Sequence, residues 1–159
     1  GLEQADGTGN LSYDPDNHDF MVRTRQAKVD GIADTIAPLE VEDPSGRAKV
    51  LVLGVAYKRD IPDYRESPAI EVIRGLRRLG AEVEYHDPHV PRFAEGGLAM
   101  ESVPLSEERV REKDLVLIAT DHSAFDYKAI VAQARRVLDA RGATRHLPRE
   151  LTEGKVVLL

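Results

Sequence analysis

The stretch KVLVLGVAYKRDIPDYRESPAIEVIRGLRRLG, residues 49–80, decides the fold. It opens on a short leucine and β-branched run, the pattern of a strand buried on both faces of a parallel sheet. Gly54 ends the run, where a residue without a Cβ lets the chain turn closely. Ser67-Pro68 then reads as a helix start: the serine hydroxyl caps free amides and proline suits the first turn. Val72, Ile73, Leu76 and Leu79 form the expected apolar stripe, and Gly80 the expected stop. Strand, loop and helix in this order begin like a nucleotide-binding unit. Yet a dinucleotide fingerprint needs three glycines, and the loop has Gly54 alone. Lys58, Arg59 and Arg65 occupy it instead, among several acids.

Downstream the periods keep alternating. AEVEYHD (81–87), DLVLIAT (114–120), RVLDARG (136–142) and KVVLL (155–159) read as strands, the second as the central one. PLSEERVREK (104–113), AFDYKAIVAQA (124–134) and RELTEG (149–154) read as helical, and PHVPRFAEGG (88–97) as loop. The alternation predicts a three-layer α/β domain over residues 47–159, with a mainly parallel sheet of five or six strands. Residues 1–46 read as a polar lead-in, loose over 1–20. A helix is expected in VRTRQAKVDGIADTIAPL (22–39), with Val22, Val29, Ile32, Ala33 and Ile36 at helical spacing, Pro38 as its stop and a turn-rich linker after it.

Composition narrows the function classes. With 22 Lys and Arg against 28 Asp and Glu, the net charge of -6 disfavours a broad nucleic-acid surface while leaving room for a small basic pocket. No run approaches a membrane span, and the first residues lack the basic flank and apolar core of a signal peptide, so the expectation is a cytoplasmic protein without a membrane partner. Asn10-Leu11-Ser12 matches a glycosylation sequon by chance on this reading. The chain holds no cysteine, which excludes disulfides, thiolate metal sites and a cysteine nucleophile within it.

In open α/β sheets ligands bind beyond the carboxyl ends of the strands. Three loops meet that requirement: GVAYKRDIPDYRES (54–67), TDHSAF (120–125) and DARGATRH (139–146). Lys58 is placed to reach a diphosphate as a mobile point charge; Lys58 and Arg59 read equally as a solvated surface pair. Arg65 sits near a helix amino terminus, where a cation is unfavourable, so either an acid of its own loop or an anionic ligand must offset it. Arg141, and less directly Arg145, present guanidinium forks suited to phosphate or carboxylate; pairing of Arg141 with Asp139 is the plain alternative.

His86, Asp87 and His89 have metal-ligand chemistry but no metal-ligand spacing, so no metal is expected. Asp87 reads as a structural acid, or as a ribose acceptor if a dinucleotide were bound. Asp121-His122-Ser123 holds triad residue types, but contiguous residues cannot converge as a triad; loop structure and helix capping by Ser123 are expected instead. On these grounds the domain is a soluble one with a cationic, glycine-poor loop at a ligand crevice, suited to a nucleotide or diphosphate.

The stretch VLVLGVAYKRDIPDYRESPAIEVIRGLRRLGAEVEYHDPHV closely resembles the carboxy-terminal, UDP-binding domain of the UDP-glucose/GDP-mannose dehydrogenase family. DLVLIATDHSAFD and RVLDARG look like its later motifs in the same order, and YKRDIPDYRESPA is nearest to members acting on UDP-N-acetylhexosamines and their uronates. The resemblance implies a Rossmann-like fold and an oxidoreductase context: NAD-dependent, two-step oxidation of a sugar-nucleotide C6 alcohol, as in polysaccharide biosynthesis. By motif position Lys58 would meet the substrate's phosphate or sugar, with Tyr57 as the aromatic residue beside it. Arg141 would contact the substrate, and Arg65 would reach the NAD pyrophosphate held by another domain.

The family's NAD fingerprint and cysteine motif have no counterpart here. The chain alone is therefore expected to bind UDP-sugar but to hold no catalytic residue, no metal and no tightly bound NAD, with a further dehydrogenase domain or a second copy as its protein partner. Two other classes stay open. One is a CoA-binding or regulatory module with a similar strand, polar loop and helix; the other is an interaction module with a vestigial pocket.

Overall fold

The computed structural model describes residues 3–6, 8, 10–35 and 47–159. The chain divides into two compact units, Gly1–Glu42 and Asp43–Leu159.

The first unit is more ordered than the loose lead-in expected over 1–20. Two short strands, β1 (Glu3–Gln4) and β2 (Leu11–Ser12), pair antiparallel. The helix α1 spans Pro15–Thr35 and starts before the expected position. Its start is set by polar chemistry: the Asp16 amide donates to Asp14 Oδ1 at 3.0 Å, and proline opens the first turn. Asn17 joins helix and hairpin by donating from Nδ2 to the Gln4 carbonyl at 3.0 Å and accepting from the Asp6 amide at 3.1 Å. Val22, expected on the apolar stripe, is 43% exposed. The expected stop at Pro38 and the linker up to Gly46 lie outside the described residues.

The second unit is an α/β sandwich. Its elements are β3 (Lys49–Leu53), α2 (Pro68–Arg78), β4 (Glu82–His86), β5 (Arg92–Glu95), β6 (Leu98–Glu101), α3 (Glu107–Glu112), β7 (Leu115–Ile118), α4 (Tyr127–Gln133), β8 (Val137–Asp139), α5 (Arg149–Thr152) and β9 (Val156–Leu158). The five-stranded sheet has the order β4-β3-β7-β8-β9, and each pair in it is parallel. Alternate residues of β3 serve opposite faces. Val50 and Val52 pack with Ala69, Ile70 and Ile73 of α2, and Leu51 and Leu53 pack with Val110 of α3 and Ile130 and Val131 of α4. A helix layer on each face is the expected three-layer, Rossmann-like class.

Three local expectations need correction. Of the expected α2 stripe, Ile73 is buried and Leu76 packs against the same core, joined by Ala69 and Ile70, whereas Val72 and Leu79 are 43% and 80% exposed. The presumed loop 88–97 carries β5, which pairs with β6 as a hairpin. Its Gly96-Gly97 turn has φ of 54° and 78°, the left-handed conformations a tight hairpin turn demands. Finally, the N-cap of α4 is Asp126, whose carboxylate accepts from the Ala129 amide at 3.0 Å, not Ser123. The Ser67 cap of α2 stands as read, accepting from the Ala69 amide at 3.4 Å.

The chain runs from β3 through α2 outward to β4, then returns past β3 to β7. The direction of winding therefore reverses between β3 and β7, the position where such sheets open a crevice. No helix among the described residues is long and apolar enough to cross a membrane.

Candidate functional site

Gly54 couples the first two loops of the crevice. Its φ is 80°, and a Cβ there would lie 2.3 Å from the Thr120 carbonyl oxygen. The Thr120 hydroxyl donates to the Ala56 carbonyl at 2.6 Å, closing the same contact from the other side. The single glycine thus serves loop-to-loop packing.

Beneath these loops lies a filled polar core. Asp87, at the end of β4, is buried, and its carboxylate accepts from the amides of Val55 (2.7 Å), Ala56 (2.9 Å), His89 (2.8 Å) and Val90 (3.1 Å). It also meets Nε2 of the fully buried His122 at 3.1 Å. His122 Nδ1 accepts from the Asp60 amide at 2.9 Å, which assigns the ring proton to Nε2. Asp60 is left-handed at φ 58° and accepts from the Ser123 amide at 2.8 Å through Oδ1. That amide, ahead of lesser contributions from the Ser123 side chain and Arg59, lowers the Asp60 carboxyl to about 2.

The structural reading of Asp87 follows. Its lone pairs are taken by protein donors, so none is left for a ribose. Asp60, His89 and His122 bring ligand-type atoms within 4.8 Å of one another, but both His122 nitrogens are committed to Asp60 and Asp87. The cluster is a scaffold that ties the β3, β4 and β7 loops together.

The cations sit above this scaffold, toward β8. Asp121 lies between two arginines from different loops. Its Oδ2 is 3.3 Å from Arg59 Nη1 and its Oδ1 is 3.4 Å from Arg141 Nε. Arg59, Asp121, His122, Ser123, Tyr127, Arg141 and His146 are among the residues around a cavity of about 370 Å³. Arg141 does meet Asp139, but through its backbone: the Arg141 amide donates to Asp139 Oδ1 at 2.9 Å, leaving the guanidinium to the cavity. Burial raises the Asp139 carboxyl, yet hydrogen bonds from Thr144 and the Arg141 amide outweigh it, and the net shift is downward. Burial pushes the Tyr127 phenol up, so its hydroxyl stays protonated and donates to the His122 carbonyl at 3.2 Å.

Of the residues singled out from sequence, Arg141 lines this cavity. Lys58 does not; its Nζ stands 5.7 Å from the centroid of the Tyr57 ring, a cation–π pair on the exposed face of the loop. Arg65 is held bidentately by Asp63 at 2.9 and 2.7 Å, the pairing within its own loop that sequence had left open. Arg59 and Asp121 were the residues missed as site members. Arg59 was visible as the neighbour of Lys58, but adjacent side chains point apart, and only the fold turns the second of them inward.

Residues 51–146 match a family model described as the UDP binding domain of the UDP-glucose/GDP-mannose dehydrogenase family. The chain is 45% identical over 85 residues to the 2-oxoglutarate oxidoreductase subunit KorA of Mycobacterium tuberculosis, a span of 54% of this chain and 12% of that protein. It is 36% identical over 89 residues to the UDP-N-acetyl-D-mannosamine dehydrogenase of Methanococcus maripaludis, covering 55% of this chain and 18% of that one. Among solved structures, the UDP-N-acetyl-mannosamine dehydrogenase Cap5O from S. aureus superposes with a TM-score of 0.54 at 25% identity, over 83% of this chain and 30% of that one. The chain spans 12% and 18% of the length of these two curated relatives.

Proposed function

From the premise that the chain belongs to the UDP-glucose/GDP-mannose dehydrogenase family through its UDP-binding domain, we propose that it binds a UDP-sugar at the carboxyl ends of β3, β7 and β8. The carrying observation is the convergence of Arg59 and Arg141, from two separate loops, on one cavity. Two guanidinium groups so placed suit a diphosphate, which each can meet with paired N–H donors. Tyr57 and Lys58, exposed and immediately before Arg59 in the chain, offer the sugar or a phosphate oxygen an aromatic face and a mobile charge. The sugar is an N-acetylhexosamine or its uronate, in the setting of cytoplasmic polysaccharide biosynthesis.

The activity served is the NAD-dependent oxidation of the sugar C6 alcohol to a carboxylate. This chain's own residues do not fit NAD. The loop after β3 has one glycine, used for packing against Thr120, and the acid at the end of β4 is saturated by protein donors. NAD therefore belongs to another domain, toward which Arg65 is directed once released from Asp63. The chain has no cysteine to form a covalent intermediate. Its part is to hold and orient the nucleotide, and binding alone does not accelerate the reaction. A further dehydrogenase domain, or a second copy, completes the crevice.

Titration calorimetry with UDP, a UDP-N-acetylhexosamine, NAD and CoA tests the reading. Heat with the two uridine ligands, diminished in Arg141→Ala, supports it. CoA binding without a UDP response would assign a CoA-type module instead, and silence from every ligand would leave an interaction module.

A further inference from the structure

Resting on that reading of the cavity, we propose that Asp121 is an internal placeholder for the ligand's diphosphate: its carboxylate sits where an anion will sit, and leaves when one arrives. The contacts are loose. Asp121 meets Arg59 at 3.3 Å and Arg141 at 3.4 Å, against 2.7–2.9 Å for a well-made charge-assisted hydrogen bond. The same protein makes such bonds elsewhere, at 2.7 Å between Arg109 and Glu84 and between Arg65 and Asp63. Each Asp121 oxygen takes one arginine, so the carboxylate separates the two cations as one group of a diphosphate would.

Asp121 is not the only group that holds these loops: Arg59 has a second carboxylate at a similar distance, and the Arg141 backbone has an anchor of its own. Arg59 is also tied through Nε to Asp60 Oδ2 at 3.4 Å, and Asp60 is itself fixed by the Ser123 amide and the His122 ring. The backbone of Arg141 is fixed on the buried Asp139, while its guanidinium reaches Asp121 at 3.4 Å. The Asp121 side chain is 22% exposed and lines the cavity. The carboxylate therefore contributes charge more than position. In the empty domain it lessens the mutual repulsion of two cations; against a ligand it competes for them. Such a residue sets the affinity for the phosphate portion of the nucleotide and leaves the base and sugar contacts alone.

The test compares the full chain with its Asp121→Asn variant, which keeps the side-chain shape and removes the charge. Calorimetry is run with inorganic pyrophosphate, UDP and uridine, and thermal melts report folding. Pyrophosphate and UDP are expected to bind the variant about five- to tenfold more tightly, with uridine unchanged and the melting temperature within a few degrees. Unchanged or weaker pyrophosphate binding by a folded variant would overturn the proposal and assign Asp121 to holding the arginines. If the variant misfolds, Asp121→Ser is measured on the same criterion. The uridine reading failing separately has its own signature: tighter pyrophosphate in the variant with no advantage of UDP over pyrophosphate in either protein. No pyrophosphate or UDP binding by any form would sink both.

Discussion

The carboxylate of Asp87 meets the imidazole Nε2 of His122 at 3.1 Å, with both side chains fully buried. The pair ties the end of β4 to the loop after β7 across the β3 loop, whose Val55 and Ala56 amides point at the same carboxylate.

Replacing Asp87 with alanine strands these donors in a dry interior. An orphaned buried donor costs about 1–3 kcal/mol, and several share this acceptor, so Asp87→Ala is expected to lose about 3–5 kcal/mol of stability. Urea unfolding followed by circular dichroism reads it. A loss below about 1 kcal/mol would mean that the loops do not rely on this acid.

Gly54→Ala combines two faults, a left-handed backbone at φ 80° and a Cβ 2.3 Å from the Thr120 oxygen. About 2–4 kcal/mol of destabilisation is expected. Gly97→Ala, at φ 78° with open space around it, keeps only the backbone fault and should cost less. The order of the two melting temperatures is the readout, and the reverse order contradicts the packing role of Gly54.

On the proposed reading the two arginines carry ligand affinity. Arg59→Ala and Arg141→Ala should each weaken UDP binding about tenfold or more, the loss of a charged hydrogen bond, while uridine binding changes little. Lys58→Ala, outside the cavity, should weaken UDP less than either. Equal UDP affinity in all three variants and the unaltered chain, measured by calorimetry, removes the cavity from the account.

Acid should weaken the β3 loop in a defined window. Asp60 is lowered from 3.8 to about 2, foremost by the Ser123 amide, and Asp63 from 3.8 to about 2, foremost by the Arg65 side chain. A depressed carboxyl stabilises the folded state above its ordinary value, and that contribution is lost as pH falls from about 4 through about 2. Asp60→Asn is therefore expected to flatten the stability profile between those limits. Carbon-detected carboxyl titration measures both midpoints directly, and a midpoint near 3.8 for Asp60 would show the Ser123 bond to be absent in solution.

With no thiol available, the chain by itself should produce no NADH from NAD and a UDP-sugar. Absorbance at the nicotinamide wavelength is the assay, and turnover by pure protein would refute the division of labour proposed above.

Sequence made the sheet legible because β3 and β7 are continuous apolar runs and α2 carries a capping serine. The register of α2 was harder. Ile70, Val72, Ile73 and Leu76 are all apolar, and packing alone decides that Ile70 is inside and Val72 outside. The β5–β6 hairpin was signalled by Gly96-Gly97, but its strands mix charge with apolar residues and mimic loop. At the site, Arg141 was readable from its position after a strand. Arg59 and Asp121 were not, since their meeting joins residues far apart in the chain through the left-handed turn at Asp60. The expected helix lacked its start, because that start rests on Pro15, the Asp14 side chain and the bonds of Asn17 to a short hairpin, none of which shows as periodicity.

On the proposed reading, the saturated acid at the end of β4 also relocates the harbour for a nucleotide. Where a dinucleotide domain leaves vacant berths beside its first strand, this one has plugged them with its own side chains. The open water lies one strand over, about 4.8 Å along the sheet. The filled acid then acts as ballast, steadying three loops while the neighbouring berth stays free for cargo.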